Sequence, residues 1–189
     1  MKYVSEIFAL NLNCSLDTCG DWHRSALPWD KVDTCIFNSE DSIFQDYGIE
    51  SGRKIPEHDG IYYVANHIRA ILDMLEHRKI NLASGMNDEF ICNPAYGEEV
   101  FDHVAMLQDL KEISVINRYG KAELRAGWND IDYLMCFEYR DKWINYKLRK
   151  GITPLLPDET KLITKFIDRW RKEDDTDFFF PKLKDLYSK

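Results

Sequence analysis

Apolar residues recur at helical spacing from about residue 62 onward. Between Tyr62 and His77, five apolar residues fall at i, i+4, i+7, i+8 and i+11, a period that places them on one face of a helix. They are Val64, Ile68, Ile71, Leu72 and Leu75. The pattern therefore predicts a first amphipathic helix over residues 62–77.

Three further helices are predicted over residues 98–110, 128–150 and 158–172. The first of them begins with two glutamates, whose charges oppose the positive end of the helix dipole. The segment 128–150 is apolar nearly all round, so we expect it to be the central helix. The segment 158–172 has the most regular apolar stripe, and its Asp158 is typical of an N-cap.

The first sixty residues predict few regular elements. Glycine, proline, aspartate and serine are frequent between Asn13 and Gly60, where only short strands such as Thr34–Phe37 fit. Lys2–Leu12 fits either a strand or a short helix, because its apolar residues suit both periods. Glu112–Gly127 has no clear period and is interpreted as a connection or an insertion.

Two tryptophans, Trp22 and Trp29, lie in the turn-rich region. Indole rings stabilise an irregular loop only when their large apolar surfaces are buried. We therefore expect both to pack against the first helix.

Together these patterns predict an α+β fold that is mainly α-helical, with four principal helices and a long N-terminal irregular region carrying short strands. The 189 residues suit one globular domain over residues 1–150. Residues 151–189 are predicted to form a C-terminal helix and an aromatic tail packed on that domain. The Phe178–Phe180 segment of the tail has two interpretations, docking on the chain's own core or contact with a partner or a second copy.

Composition indicates a soluble globular protein. The chain is 44% apolar and 13% aromatic, which is too rich for disorder, and no apolar run approaches the roughly 20 residues that span a bilayer. An acid at Glu6 interrupts the first apolar run, so no secretory signal is recognised and we expect a cytoplasmic protein without a membrane partner.

The net charge of −8 argues against non-specific nucleic-acid binding, which depends on lysine and arginine. One run, Arg140–Lys150, is basic and interleaved with two aromatic residues. At helical spacing these cations fit better as long side chains that surround a buried aromatic stripe. Nucleic acid is therefore not expected as a partner.

The chain has five cysteines, an odd number that leaves at least one outside any disulfide. They are Cys14, Cys19, Cys35, Cys92 and Cys136. Because no export signal is recognised, we expect reduced cysteines that behave as small buried apolar residues, without a disulfide framework.

The segment Asn13–Asp30 is the chemically densest part of the chain, with two thiols, a histidine, two tryptophans and three carboxylates. Zinc is one hypothesis for it, because thiolate and imidazole are the ligands that zinc prefers. The candidate ligands are Cys14, Cys19, His23 and Cys35. Their spacing lacks the tight C-x2-C pair of known zinc sites, so neither a metal nor a cofactor is expected.

A catalytic site is a second hypothesis for the same region. An Asp-x-His pair can tune an imidazole for proton transfer, so Asp21 and His23 are candidates, together with His67 and Arg69 on the first predicted helix. A cysteine nucleophile beside a histidine is a further possibility, which pairs Cys19 with His23 or Cys92 with His67; Glu57 and His58 form another acid–base pair. No glycine-rich phosphate-binding loop is present.

Three segments carry a resemblance to known proteins: KYVSEIFALN at residues 2–11, GDWHRSALPW at residues 20–29 and ANHIRAILD at residues 65–73. They resemble a group of small uncharacterised bacterial proteins, associated with toxin–antitoxin-like and mobile loci. The resemblance covers roughly residues 2–148. Glu112–Gly127 and the tail after Gly151 depart from the pattern. The resemblance implies a context and no catalytic residue.

The leading functional hypothesis is a bacterial interaction protein, an antitoxin or accessory subunit of a toxin–antitoxin or defence-type module. Its acidic surface would meet a basic protein partner, since complementary charge selects and accelerates association. The alternative is a small enzyme with a site formed by Asp21, His23, His67 and Arg69. A pocket with polar side chains from both segments would favour the enzyme.

Overall fold

The fold is α+β and mainly helical, as the sequence predicts. A computed structural model describes residues 1–109, 113–116, 122–125 and 127–152, with side chains described outside 113–116 and 122–125. The predicted helix over residues 158–172 and the aromatic tail with Phe178–Phe180 lie outside the described residues.

The strands are β1 (Lys2–Val4), β2 (Ile36–Asn38), β3 (Ile49–Arg53), β4 (Tyr62–Ala65), β5 (Ile113–Ile116) and β6 (Ala122–Arg125). The α-helices are α1 (Glu6–Leu10), α2 (His67–Glu76), α3 (Ile80–Ala83), α4 (Gly97–Ala105), α5 (Trp128–Tyr139) and α6 (Asp141–Lys150). Short 3-10 segments lie between them. The chain divides into two compact units, Met1–Leu134 and Met135–Lys189. The predicted boundary at residue 150 stays a prediction.

A four-stranded sheet in the order β2-β1-β4-β3 lies in the first unit. β1 runs antiparallel to β2 and parallel to β4, with Val4 opposite Val64, and β3 is antiparallel to β4. The sequence predicts no regular element within Glu112–Gly127, but this segment contains a two-stranded hairpin. In it β5 pairs antiparallel with β6, from Ile113 opposite Arg125 to Ile116 opposite Ala122.

The N-terminal segment Lys2–Leu12, which fits either a strand or a short helix by its sequence, forms first a strand and then a helix. β1 supplies the buried Tyr3 and Val4, and α1 then packs against α2. Glu6 joins them with a φ of 56°, in the left-handed region that costs a non-glycine residue about 1–3 kcal/mol. Tertiary contacts must offset that strain.

The predicted helix over residues 62–77 begins later than its apolar period suggests. Its first four residues form β4 instead, and α2 begins after Asn66, whose side-chain oxygen accepts a hydrogen bond from the Arg69 N–H at 2.8 Å. Asparagine is a preferred N-cap, and the Tyr62–Ala65 segment is rich in residues that favour strands. α2 is buried from His67 to Leu75.

The predicted helix over residues 128–150 is interrupted at Arg140, which has a φ of 47° and a ψ of −127°. α5 ends at Tyr139 and α6 begins at Asp141, so the single central helix was a wrong prediction. The basic run lies on α6, where Trp143 and Tyr146 are buried and stacked at 5.5 Å. The basic side chains lie near these rings, as expected for cations around an aromatic stripe.

α4 and the 3-10 segment Met106–Asp109 match the predicted helix over residues 98–110. Between α3 and α4, Met86–Ile91 forms a π-helical turn. Within the described residues, every helix is too short or too polar to cross a lipid bilayer.

Candidate functional site: the loop over the start of α2

Asp21 organises the turn at the centre of the chemically dense segment. Its backbone N–H donates to the Leu10 carbonyl at 2.8 Å, and its carboxylate accepts from the Asn11 amide at 3.0 Å and from the Trp22 N–H at 2.7 Å. The same carboxylate bonds His23 Nδ1 at 2.6 Å. Two of these bonds, to Leu10 and from Asn11, tie the turn to the end of α1, and the other two hold the turn itself.

The charge state of Asp21 follows from these contacts. Burial raises the pKa of the carboxyl, but the hydrogen bonds from Asn11 and His23 outweigh burial and leave the pKa below its ordinary value. The carboxylate is therefore ionised at neutral pH and remains an acceptor. The predicted pairing of Asp21 with His23 is present, and the His23 side chain is 75% exposed.

The two tryptophans have opposite environments. Trp29 is 4% exposed, with its ring 5.4 Å from that of Phe8 and its Nε1–H donating to the Arg24 carbonyl at 2.9 Å. Trp22 is 78% exposed, so the expectation that both indoles pack against the predicted helix over residues 62–77 was wrong for Trp22. Trp29 is buried as expected, but the ring it contacts belongs to α1, a helix outside that prediction.

His67, the first residue of α2, lies under the same loop. Its Nε2 bonds the Leu12 carbonyl at 2.8 Å, and its Nδ1 bonds the Thr18 hydroxyl at 2.7 Å. A carbonyl can only accept, so Nε2 carries the proton and neutral His67 accepts at Nδ1. Gly20 lies against the ring, where a Cβ would come within 2.6 Å of His67 Cε1.

Cys14 joins this arrangement through Thr18, whose hydroxyl oxygen is 3.6 Å from the Cys14 sulfur. Burial raises the pKa of the thiol, but hydrogen bonding to His67 and Thr18 outweighs burial and lowers the pKa to about 7. Burial lowers the pKa of His67, and its interaction with Cys14 reverses that shift and raises it. The thiol and imidazole thus stabilise each other's charged forms.

A disulfide links Cys19 to Cys92, with their Cα atoms 6.0 Å apart. The expectation of reduced cysteines was wrong for this pair, and so were the candidate dyads that joined Cys19 to His23 and Cys92 to His67. The Gly20 N–H donates to the Phe90 carbonyl at 2.8 Å, which holds the two segments together. Both disulfide residues are exposed.

Arg69 belongs to a different environment from Asp21 and His23. Its side chain is fully buried and pairs with Asp73 at 2.7 Å. The guanidinium also donates to the Tyr3 hydroxyl at 2.6 Å and to the carbonyls of Gln45 and Tyr47 at 2.7 Å each. The structure therefore brings Asp21 to His23, and His67 beneath the same loop, whereas Arg69 joins a buried network.

The four candidate zinc ligands do not meet. Cys19 is in the disulfide, Cys14 interacts with His67, and Cys35 donates its S–H to the Glu6 carboxylate at 3.4 Å. His23 Nδ1 bonds Asp21. The described part of the chain contains no cluster of three or more such side chains suited to a metal ion.

A polar cavity of about 560 Å³ lies at the β1–β2 edge of the sheet. Its lining residues are Lys2, Tyr3, Asp33, Ile36, Phe37, Asn38, Asp41, Ser42 and His77. The His77 ring lies 4.4 Å from that of Phe37, and its Nδ1 bonds the buried Glu6 carboxylate at 3.0 Å. This group was not predicted from the sequence, although a lone acid inside the apolar segment Val4–Leu10 is a recognisable signal.

Glu6 is the buried charge of that group. It accepts from Lys79 Nζ at 2.5 Å as well as from His77 and Cys35. Burial raises the pKa of the Glu6 carboxyl, and the hydrogen bonds from His77 and Lys79 outweigh burial and lower it. Glu6 thus stays ionised at neutral pH within the core.

We expect Glu6→Gln to lower the free energy of unfolding at pH 7 by about 1–3 kcal/mol, because the neutral amide loses its charged partners. The folded pKa lies below the ordinary value of 4.5, so the contribution is present above that pH and disappears as pH falls through the folded pKa. Urea unfolding as a function of pH measures the difference. Glu40→Gln, at an exposed site, is the control and should change little. A difference between wild type and Glu6→Gln that grows in acid would contradict this assignment.

Comparison of the chain with protein families, with curated proteins and with solved structures gives no match.

Proposed function

We propose that this chain is an interaction protein that inserts Trp22 into an apolar pocket of a basic protein partner. The observation that carries the proposal is a large indole, 78% exposed, on a turn fixed by the hydrogen bonds of Asp21. The resemblance to small bacterial proteins makes this proposal more specific. It implies an antitoxin or accessory subunit of a bacterial toxin–antitoxin or defence-type module.

The rigidity of the turn supports an anchoring role. Covering an exposed apolar side chain of this size contributes about 1.5–3 kcal/mol, which a partner would gain by burying the indole. Tryptophan is enriched among the few interface residues that dominate binding energy. A side chain held in place before association also loses less conformational freedom on binding.

Charge supports the choice of a basic partner. The net charge of −8 produces a negative field that steers positively charged proteins and slows the approach of acidic ones. Next to Trp22 the chain carries His23 and Arg24, both exposed, so the attraction is a long-range property of the whole chain. Apolar contact at Trp22 would then supply the short-range energy.

The cavity gives no support to the enzyme alternative. Convergent polar groups from the Asp21 turn and from α2 would favour an enzyme, yet the cavity at the β1–β2 edge is lined by none of Asp21, His23, His67 or Arg69. The His23 side chain is exposed to solvent. All three guanidinium nitrogens of Arg69 donate hydrogen bonds to groups in the core.

We expect Trp22→Ala to weaken partner binding by about 30-fold or more, since truncating an interface anchor costs 2 kcal/mol or more. Affinity capture from the source cells with the wild-type chain identifies the partner, and titration of the purified partner gives the dissociation constant. The captured protein should be basic, and its association rate should fall with added salt.

Ile61→Ala provides the matched control, because Ile61 is also a large exposed apolar residue but lies immediately before β4, away from the Asp21 turn in sequence. It should bind like wild type. Equal binding by Trp22→Ala and wild type to every captured partner would contradict the proposal, and so would a partner with an acidic surface.

A further inference from the structure

We propose that Cys14, Thr18 and His67 form a nucleophilic thiol site that exchanges with small disulfides and carries the product as a mixed disulfide. The site is separate from Trp22 and does not depend on the interaction function. The cluster lies where the loop crosses the first residue of α2, and its three side chains are connected by hydrogen bonds.

The donor and acceptor of each hydrogen bond in the cluster follow from the Leu12 carbonyl, which can only accept. His67 Nε2–H donates to the Leu12 carbonyl, so Nδ1 accepts the Thr18 O–H at 2.7 Å. The Thr18 oxygen is then available to accept the S–H of Cys14 at 3.6 Å. The thiol proton therefore has a path through Thr18 to His67. Nucleophile, base and an acceptor that orients the base are the three parts that activate a cysteine.

The charges around the cluster favour the ion pair of a Cys14 thiolate and a protonated His67. Besides Cys14, the carboxylate of Glu50 on β3 raises the pKa of His67 through its charge. Glu50 is held in place by the Ser15 N–H at 2.9 Å, by the Ser15 hydroxyl at 2.5 Å and by Arg53. Burial opposes ionisation of both Cys14 and His67, but the balance leaves the thiol with a pKa of about 7. Such a thiol is substantially ionised at neutral pH and keeps its nucleophilicity.

Access distinguishes Cys14 from the other two cysteines outside the disulfide. Cys14 is half-buried, whereas Cys35 and Cys136 are buried. Burial, followed by the negative charge of Glu6, raises the pKa of Cys35 to about 11, so its thiol is protonated and inert at neutral pH. Among these three thiols, Cys14 is the one prepared for reaction.

The reaction balances without an additional redox partner. The Cys14 thiolate attacks one sulfur of a disulfide RS–SR, so that a Cys14–SR bond forms and the RS–SR bond breaks. The electron pair leaves with the second sulfur as RS⁻, which takes up the proton that His67 received from Cys14. One thiol and one disulfide give one mixed disulfide and one thiol.

The test uses the full chain, with its Cys19–Cys92 disulfide intact, and oxidised glutathione as the probe. Intact mass and peptide mapping follow the adduct over time between about pH 5 and pH 9. We expect one glutathione on Cys14, with a rate that rises through a midpoint near pH 7. Cys14→Ser should abolish the adduct, and a circular dichroism spectrum checks that each variant is folded.

Thr18→Val removes the bridging hydroxyl at nearly constant shape. Because each unit of pKa changes the thiolate fraction about tenfold below the pKa, we expect a rate at pH 6.5 several-fold to tenfold lower and a midpoint shifted to higher pH. Thr34→Val is the matched control, since the Thr34 hydroxyl lies beside Cys35 and away from Cys14. It should leave both values unchanged.

Three results would overturn the proposal: no adduct at Cys14, an adduct at Cys35 or Cys136 that forms at least as fast, or a Cys14 rate with the midpoint of an ordinary exposed thiol. A Thr18→Val variant that is folded and reacts like wild type would remove the relay from the mechanism. None of these outcomes depends on Trp22, so they are distinguishable from failure of the proposed interaction function.

Discussion

Arg69→Ala is expected to destabilise the first unit by about 3–5 kcal/mol or to prevent its folding. The Arg69 side chain is fully buried, and its removal leaves the Asp73 carboxylate without its cation in the core. The Gln45 and Tyr47 carbonyls lose their donor as well. Burial already raises the pKa of Asp73, and the Arg69 charge opposes that shift. Without Arg69 the carboxyl has to bind a proton or remain an uncompensated buried charge.

Urea unfolding monitored by circular dichroism measures this effect. Arg53→Ala is the control, because the Arg53–Glu50 ion pair is partly exposed, and such pairs contribute less than about 1 kcal/mol. Arg69→Lys should also destabilise strongly, since one ammonium cannot reach Asp73, Tyr3 and two carbonyls together. An unfolding midpoint of Arg69→Ala equal to that of Arg53→Ala would show that the network contributes little.

The fold was predictable where a regular period coincided with a local signal for the end of an element. α4 is an example, because an apolar period and acidic residues in its first turn agree. The period failed at the start of α2, where Val64 fits the helical stripe but pairs with Val4 in the sheet. The Asn66 cap was the local signal that could have corrected the boundary.

The break between α5 and α6 could not be predicted from the sequence, because no glycine or proline marks it. The end of α5 depends on the positive φ of Arg140, which no residue preference indicates. The β5–β6 hairpin was also not predicted, because its strands are only four residues each, too short for the alternation in Ala122–Arg125 to define a strand.

The candidate site depended on contacts between distant segments. His67 was identified as a candidate from its position on a predicted helix, but its partners Cys14 and Thr18 lie on a loop of no regular period. Cys19 and Cys92 are 73 residues apart, and the pairing of cysteines does not follow from their spacing. The Glu6 group was not predicted either, although an acid among apolar neighbours indicates a buried partner.

Trp143→Ala is expected to lower the free energy of unfolding by about 3–5 kcal/mol, because truncating a buried aromatic residue leaves a cavity. Trp143 on α6 is 0% exposed, and its ring stacks on that of Tyr146 with an interplanar angle of 11°. Leu148→Ala on the same helix is the matched control, since Leu148 is 57% exposed and should change stability by less than about 0.5 kcal/mol. Denaturant unfolding of both variants decides the matter. If the midpoint of Trp143→Ala equals that of wild type, the indole does not contribute to the core, and the basic and aromatic run Arg140–Lys150 then becomes a candidate binding surface.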